Sequence, residues 1–276
     1  MKHICCLHVF YNTEHTIKCF ESLKNLDMDF VILEDESIYS PEIQNYFSDK
    51  NILKYCLFKD SGGNVLSFYR DEVDLLKQYD YITFSDCDLY HENQKEVFNE
   101  ITSILDKHSE VGVCSASLSE ENMPSWSKGW GMSGTDRGQD YIEARTGIWF
   151  TTVRGDFTEI FNAACWWDYQ IIDQCNHLRK KWVRAKNNSV YHLTWDLYSE
   201  HPPYSDYQEL KQQRLNSGIF SHKDMCDKTF DYEEIEFLSS GEQKRTLKKA
   251  SGKHRIEGSP LSKEELYMES EEEGLK

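Results

Sequence analysis

The sequence predicts an α/β protein: a single main domain built on a mostly parallel sheet with helices on both faces. Apolar strand-like runs alternate with helical segments from residue 3 to residue 86, and that alternation is the pattern of parallel strands joined by helical crossovers. Each strand-like run ends in polar residues, as ligand-binding strand ends do in such sheets. A chain of 276 residues is long enough to bury one large core.

HICCLHVF, residues 3–10, reads as a buried strand, and the polar YNTEH leads into TIKCFESLKNL, where Ile17, Phe20, Leu23 and Leu26 recur at helical spacing. MDFVILEDES repeats a strand, with an acidic end at Glu34-Asp35-Glu36. NILKYCLF, residues 51–58, is the third, followed by the turn Ser61-Gly62-Gly63-Asn64 and a helix predicted from Val65 to Gln78. YDYITFSD is the fourth, and it runs straight into Asp86-Cys87-Asp88. Beyond Asp88 the pattern is irregular. A Trp- and Gly-rich span, SWSKGWGMSG at 125–134, precedes a strand-like ARTGIWFTTV, a helix from Trp167 to Lys181 and the segment NSVYHLTW. From about Asp227 charged and polar residues dominate, so residues 227–276 are expected to form a charged C-terminal appendage, partly disordered or helical. The domain proper is then 1–226, with residues 1–95 as the ligand-binding half.

Lys and Arg total 31 against 48 Asp and Glu, a net charge of −17, which disfavours nucleic acid and anionic lipid as partners. A phosphorylated substrate meets the same repulsion and needs a local cation. The nine cysteines contain no C-x-x-C pair and suit reduced thiols, and neither a signal peptide nor an apolar run of about 18 residues is evident. A cytoplasmic setting is therefore expected.

A carboxylate-x-carboxylate turn at a strand end presents two hard oxygen donors to one divalent cation. Mg²⁺ or Mn²⁺ suits them, and such an ion is commonly shared with substrate phosphates. Asp168 follows Trp166-Trp167, where apolar surroundings raise a carboxylate's proton affinity and favour a general base, the preferred reading; the alternative is the N-cap of the helix it opens, and Asp173 is the substitute base. His192 in SVYHLTW is either a metal ligand or a half-buried strand histidine bonded to backbone.

In the order HVFYNTEHTIKCFESL, VILEDES, SGGN and YITFSDCD, followed by ACWWDYQIIDQCNHLRKKWVRAKNNSVYHLTW, the chain resembles the nucleotide-sugar glycosyltransferases of the GT-A fold, family 2 type, from residue 3 to about 195. The resemblance implies a Rossmann-like sheet and a metal-dependent, inverting transfer of a sugar from a nucleotide diphosphate, UDP favoured, to an acceptor hydroxyl. Tyr11, Asn12, Thr13, Glu34 and Asp35 would hold base and ribose, Gly63 and Asn64 would let backbone approach the nucleotide, and Asp86 would stand near the ribose. Asp88 and His192, with Asp86, would hold the Mn²⁺ or Mg²⁺. Residues 96–226 would form the acceptor-binding and catalytic half, with Asp168 as base and Trp126, Trp130 and Trp167 offering faces to sugar rings. The acceptor, whether glycan, lipid or protein, is not readable. The sequence departs from the family at Trp182, near the place of its usual glycine, and at Gln170, where a second acid is common. A nucleotidyltransferase and a catalytically silent sugar- or protein-binding module on the same fold are the rival expectations.

Overall fold

The computed structural model describes residues 1–10, 12–59, 66–90, 92–123, 134–144, 147, 149–163, 168–197 and 231–249. Four strands, β1 (His3–Phe10), β2 (Asp29–Asp35), β3 (Lys54–Phe58) and β4 (Tyr81–Asp86), lie in the spatial order β3-β2-β1-β4, all parallel. That is the doubly wound half expected from the sequence. The chain steps outward from β1 to β2 and β3, then returns to place β4 on the other side of β1. The carboxyl ends of β1 and β4 thus flank the point where the winding reverses, where open α/β sheets bind ligands.

The helices follow from local sequence. α1 (Thr13–Leu23) is capped by Asn12, whose side chain accepts the His15 backbone N–H at 3.0 Å, and it buries Thr16, Cys19, Phe20 and Leu23. α2 (Ser40–Phe47) carries Pro41 in its first turn and buries Ile43 and Phe47. The single helix expected over 65–78 is instead two short ones, α3 (Leu66–Asp71) and α4 (Val73–Leu76), interrupted at Glu72.

The second half is more regular than its sequence suggests. After the short β5 (Leu89–Tyr90), α5 (Gln94–Lys107) lays Val97, Ile101, Ile104 and Leu105 on the sheet. β6 (Val111–Leu118) is buried along its whole length. β7 (Gly134–Asp136) and β8 (Tyr141–Ala144) lead to β9 (Phe150–Arg154), which inserts antiparallel between β4 and β6. α6 (Asp168–His177) then precedes the long β10 (Lys181–His192), parallel to β6. The final turns of β10 pair antiparallel with β5, His192 opposite Leu89.

Residues expected in a C-terminal appendage enter the sheet. β11 (Tyr232–Phe237) pairs antiparallel with β3 and forms a hairpin with β12 (Gln243–Lys248). The reason is burial: Tyr232 stacks on Phe58 with ring centroids 5.0 Å apart, and Ile235 lies in the core on the opposite face. In YEEIEF the acidic residues between these anchors pair with Lys54, Lys59, Arg245 and Lys248, so the charge that masks the strand in the sequence is neutralised in the hairpin. Tyr232→Ala is expected to cost about 3 kcal/mol or more, as aromatic truncations in cores do. Urea unfolding measures it, and a loss under 1 kcal/mol, roughly the value of a surface change, would return the hairpin to appendage status.

Candidate functional site

The site is built where β1, β4 and β10 end beside the first turn of α1. Asp86 closes β4 and pairs in register with His8 of β1, and its backbone N–H donates to the Trp149 carbonyl at 2.8 Å. Cys87 turns inward. Its thiol is buried, accepts the Phe10 N–H at 3.5 Å, and is pushed up to about 12 by desolvation, so it acts as a neutral tie between the ends of β1 and β4. Asp88 is thereby left beyond the turn, facing β10.

There it meets His192. The His192 Nδ1 stands 3.5 Å from Asp88 Oδ2, both side chains half-buried, and among the described residues this Nδ1, shielded from solvent, has no hydrogen-bond partner. The ring is fixed from its face by Trp195, stacked at 4.5 Å and 6°. Backbone ties hold both residues: the Leu193 N–H donates to the Asp88 carbonyl at 2.7 Å, and Asn122 donates to the His192 carbonyl at 2.8 Å. Thr194 Oγ1 donates to Asp88 Oδ2. A buried imidazole nitrogen facing a carboxylate oxygen, with each held from behind, is a donor pair suited to a divalent cation. Asp86 does not complete a trio with them: among the described residues no three His, Cys, Asp or Glu side chains come close enough to hold a metal ion. The physical reason is the turn, which leaves Asp86 in the ladder beside His8 and carries only Asp88 across to β10. Asp88 and His192 would hold an ion from the protein side, with substrate oxygens and water completing it.

Asn12 and Thr13 take positions at the mouth, but Asn12 is engaged as the α1 cap and Thr13 Oγ1 donates to Glu42 at 3.2 Å. Glu34 and Asp35 separate, because successive strand residues point to opposite faces. Glu34 is fully buried on the α2 face, its Oε2 accepting from the Tyr55 hydroxyl at 2.5 Å and from Gln44 at 3.3 Å. A sealed carboxylate of this kind is a core group, which takes it out of reach of a base; Asp35 is the member of the pair on the other face. Burial pushes the Glu34 carboxyl up, above its unfolded value. The folded state therefore favours the protonated form, and the stability that protonation supplies is lost as pH rises through the folded pKa. Glu34→Gln is expected to raise the melting temperature at pH 8 and to make little difference at about pH 3, below the ordinary glutamate range, where Glu34 carries its proton in both states. Calorimetry across that range measures it, and a variant equally destabilised at both pH values would contradict the assignment.

Asp168 opens α6, the position expected of it, and Asp173 lies half-buried one turn and more along the same helix, its carboxyl pushed up by desolvation. Tyr11, Gly63, Asn64, Trp126, Trp130 and Trp167 lie outside the described residues, as does the side chain of Asp168.

Three groups that the sequence reading passed over belong to this region. His15, nine-tenths buried in the first turn of α1, has its imidazole pushed below the usual range by burial, with the negative charge of Asp88 working against that. His8 Nε2 bonds the Tyr69 hydroxyl at 2.5 Å beneath Asp86, and burial lowers that imidazole to about 3, so it is neutral. Trp195 supports His192. The histidines sit where a sequence shows only a polar loop and a strand interior, and no spacing rule separates them from ordinary residues there.

No family model matches the chain. Curated relatives include three uncharacterized proteins of Acanthamoeba polyphaga mimivirus. L142 is 27% identical over 251 residues, covering 81% of this chain and 49% of that protein. L137 is 29% identical over 243 residues, covering 79% and 32%, and L138 is 26% identical over 273, covering 88% and 30%. The chain thus spans less than half the length of these relatives. Among solved structures, S. aureus TarS 1-349 is similar with a TM-score of 0.48 at 15% identity, covering 80% of this chain and 73% of that one. The mannosyltransferase PcManGT from Pyrobaculum calidifontis, in complex with GDP-Man and Mn2+, has a TM-score of 0.48 at 7% identity, covering 78% and 61%. A UDP-glucose pyrophosphorylase complexed with UDP-glucose has 0.48 at 10%, covering 76% and 100%.

Proposed function

We propose that the chain is a divalent-metal-dependent glycosyltransferase that moves a sugar from a nucleotide diphosphate, UDP favoured, to an acceptor hydroxyl with inversion at the anomeric carbon. The observation that carries this is the meeting of Asp88 and the unpartnered His192 Nδ1 beside the switch point of a doubly wound sheet. In a chain of net charge −17, a diphosphate needs compensation at that spot. The ion, when bound, supplies positive charge to the leaving diphosphate.

The chain's residues would do the rest. Thr194 and Trp195 keep Asp88 and His192 in place for phosphate recognition. Asp168, at the start of α6, takes the proton from the acceptor hydroxyl as that oxygen bonds to the anomeric carbon. The bond from this carbon to the diphosphate oxygen breaks, and the electron pair leaves with the diphosphate. One displacement gives inversion.

The test is incubation with UDP- and GDP-sugars, with and without Mn²⁺, followed by detection of released nucleoside diphosphate. Mn²⁺-dependent release of UDP or GDP supports transfer, since slow hydrolysis replaces a missing acceptor. Pyrophosphate formed from a nucleoside triphosphate and a sugar phosphate would identify a nucleotidyltransferase instead. Binding without turnover in either assay would leave a sugar-binding module.

A further inference from the structure

The first turn of α1 carries a hydrogen-bond donor that the proposed chemistry has not used. Asn12 Oδ1 accepts the His15 backbone N–H at 3.0 Å, which fixes the orientation of the Asn12 amide. Its Nδ2 then faces His15 Nδ1 at 3.1 Å. An amide nitrogen only donates, so His15 Nδ1 must accept, and the ring proton belongs on Nε2. Among the described residues no hydrogen bond to that Nε2–H is made, and Nε2 is not sealed from solvent, so it is left able to meet a ligand although the residue as a whole is only 9% exposed.

The surroundings aim the group at the Asp88 site. On α1, Cys19 Sγ reaches the Asp86 carbonyl at 3.5 Å, and Lys18 Nζ lies 5.1 Å from the centroid of the Tyr90 ring. This helix therefore packs along residues 86–90, whose last two form β5 and pair with Tyr191 and His192.

We propose that His15 donates its Nε2–H to an oxygen of the donor's diphosphate, so that α1 binds the phosphates from the side opposite His192. This rests on the nucleotide-diphosphate reading above. Asn12 acts as the positioning residue, fixing the tautomer that makes His15 a donor.

The experiment is calorimetric titration of the full chain with Mn²⁺ present, using uridine, UMP, UDP and inorganic pyrophosphate as probes. His15→Ala is expected to weaken UDP and pyrophosphate about tenfold or more, the scale of a hydrogen bond to a charged group, while leaving uridine within about twofold. His15→Gln, which keeps an N–H donor and most of the volume, is expected to recover part of the loss, and melting curves of both variants separate binding from folding. Unchanged pyrophosphate and UDP affinity in both variants would overturn the role of His15 and leave the nucleotide-diphosphate reading standing. An equal loss for uridine would also overturn it, since the effect would then be on the base or the fold. A parent protein that binds neither UDP nor pyrophosphate would remove the functional reading and this inference together.

Discussion

Asp88→Ala is expected to abolish Mn²⁺-dependent binding of UDP, lowering its affinity by about 100-fold or more while the protein stays folded. The expectation follows from what Asp88 does in the structure. Its Oδ2 faces His192 Nδ1 at 3.5 Å and accepts from Thr194 Oγ1, so it is the sole negative charge of the donor pair. Altering groups that merely support metal ligands commonly costs 10–100-fold in metal affinity, and removing a ligand outright should cost at least that much. The structural cost is smaller, because Asp88 is half-buried and the loss of one partner for Thr194 is worth about 1 kcal/mol. Asp88→Asn sharpens the comparison: the amide oxygen still accepts from Thr194, but the charge is gone. Calorimetric titration with Mn²⁺ and again with chelator measures both variants. If either keeps the parent's affinity and its dependence on Mn²⁺, Asp88 does not hold the ion.

The parallel half of the sheet was legible because its signals are local. HICCLHVF, FVILED and YITFSD are apolar runs bounded by polar turns, and they form β1, β2 and β4 close to the expected limits. In the second half ARTGIWFTTV does hold β9, but β6 was hidden for a physical reason. β6 reads VGVCSASL, with too many small and polar residues to look like a core strand, yet Ser115 bonds Thr151 and Trp182 at 2.8 Å each, and Ser117 donates to the Ala185 carbonyl at 2.5 Å. These bonds exist only after β9 and β10 have come alongside, so no window of sequence contains them. The same holds for β11, whose acidic residues find their lysine and arginine partners on other strands.

For the site, the turn at Asp86-Cys87-Asp88 announces itself as charge at the end of a buried strand. Which carboxylate faces His192 is decided by where β5 and β10 pair, about a hundred residues apart in the chain. Glu34 and Asp35 look equivalent in sequence, and only the identity of the helix on each face buries one of them beneath α2. His15 was invisible in a different way. Its significance lies in a tautomer set by Asn12 and in the packing of α1 along residues 86–90, neither of which a one-dimensional pattern encodes.

Asp168→Asn is expected to lower kcat by roughly two to four orders of magnitude while leaving the melting temperature and the metal-dependent binding of UDP unchanged. The substitution discriminates because Asp168 stands at the first residue of α6, where a carboxylate could serve the helix as readily as the chemistry. An asparagine still satisfies free N–H groups at a helix start, so a purely structural role predicts a change near zero in both stability and rate. A general base predicts the opposite split, with stability kept and turnover lost, because an amide cannot accept the proton of an acceptor hydroxyl. Asp173 supplies the internal comparison. Burial already pushes its carboxyl up, and a raised pKa makes the carboxylate a stronger base, so it is the group to which the role would pass. Measuring kcat for Asp168→Asn and Asp173→Asn side by side, together with their melting curves, assigns the proton acceptor. Turnover of Asp168→Asn within a few-fold of the parent, combined with a large loss in Asp173→Asn, moves the base by five residues along α6 and leaves the inverting mechanism intact. If neither variant slows, and the product keeps the donor's anomeric configuration, a single displacement assisted by a carboxylate base is the wrong mechanism for this site.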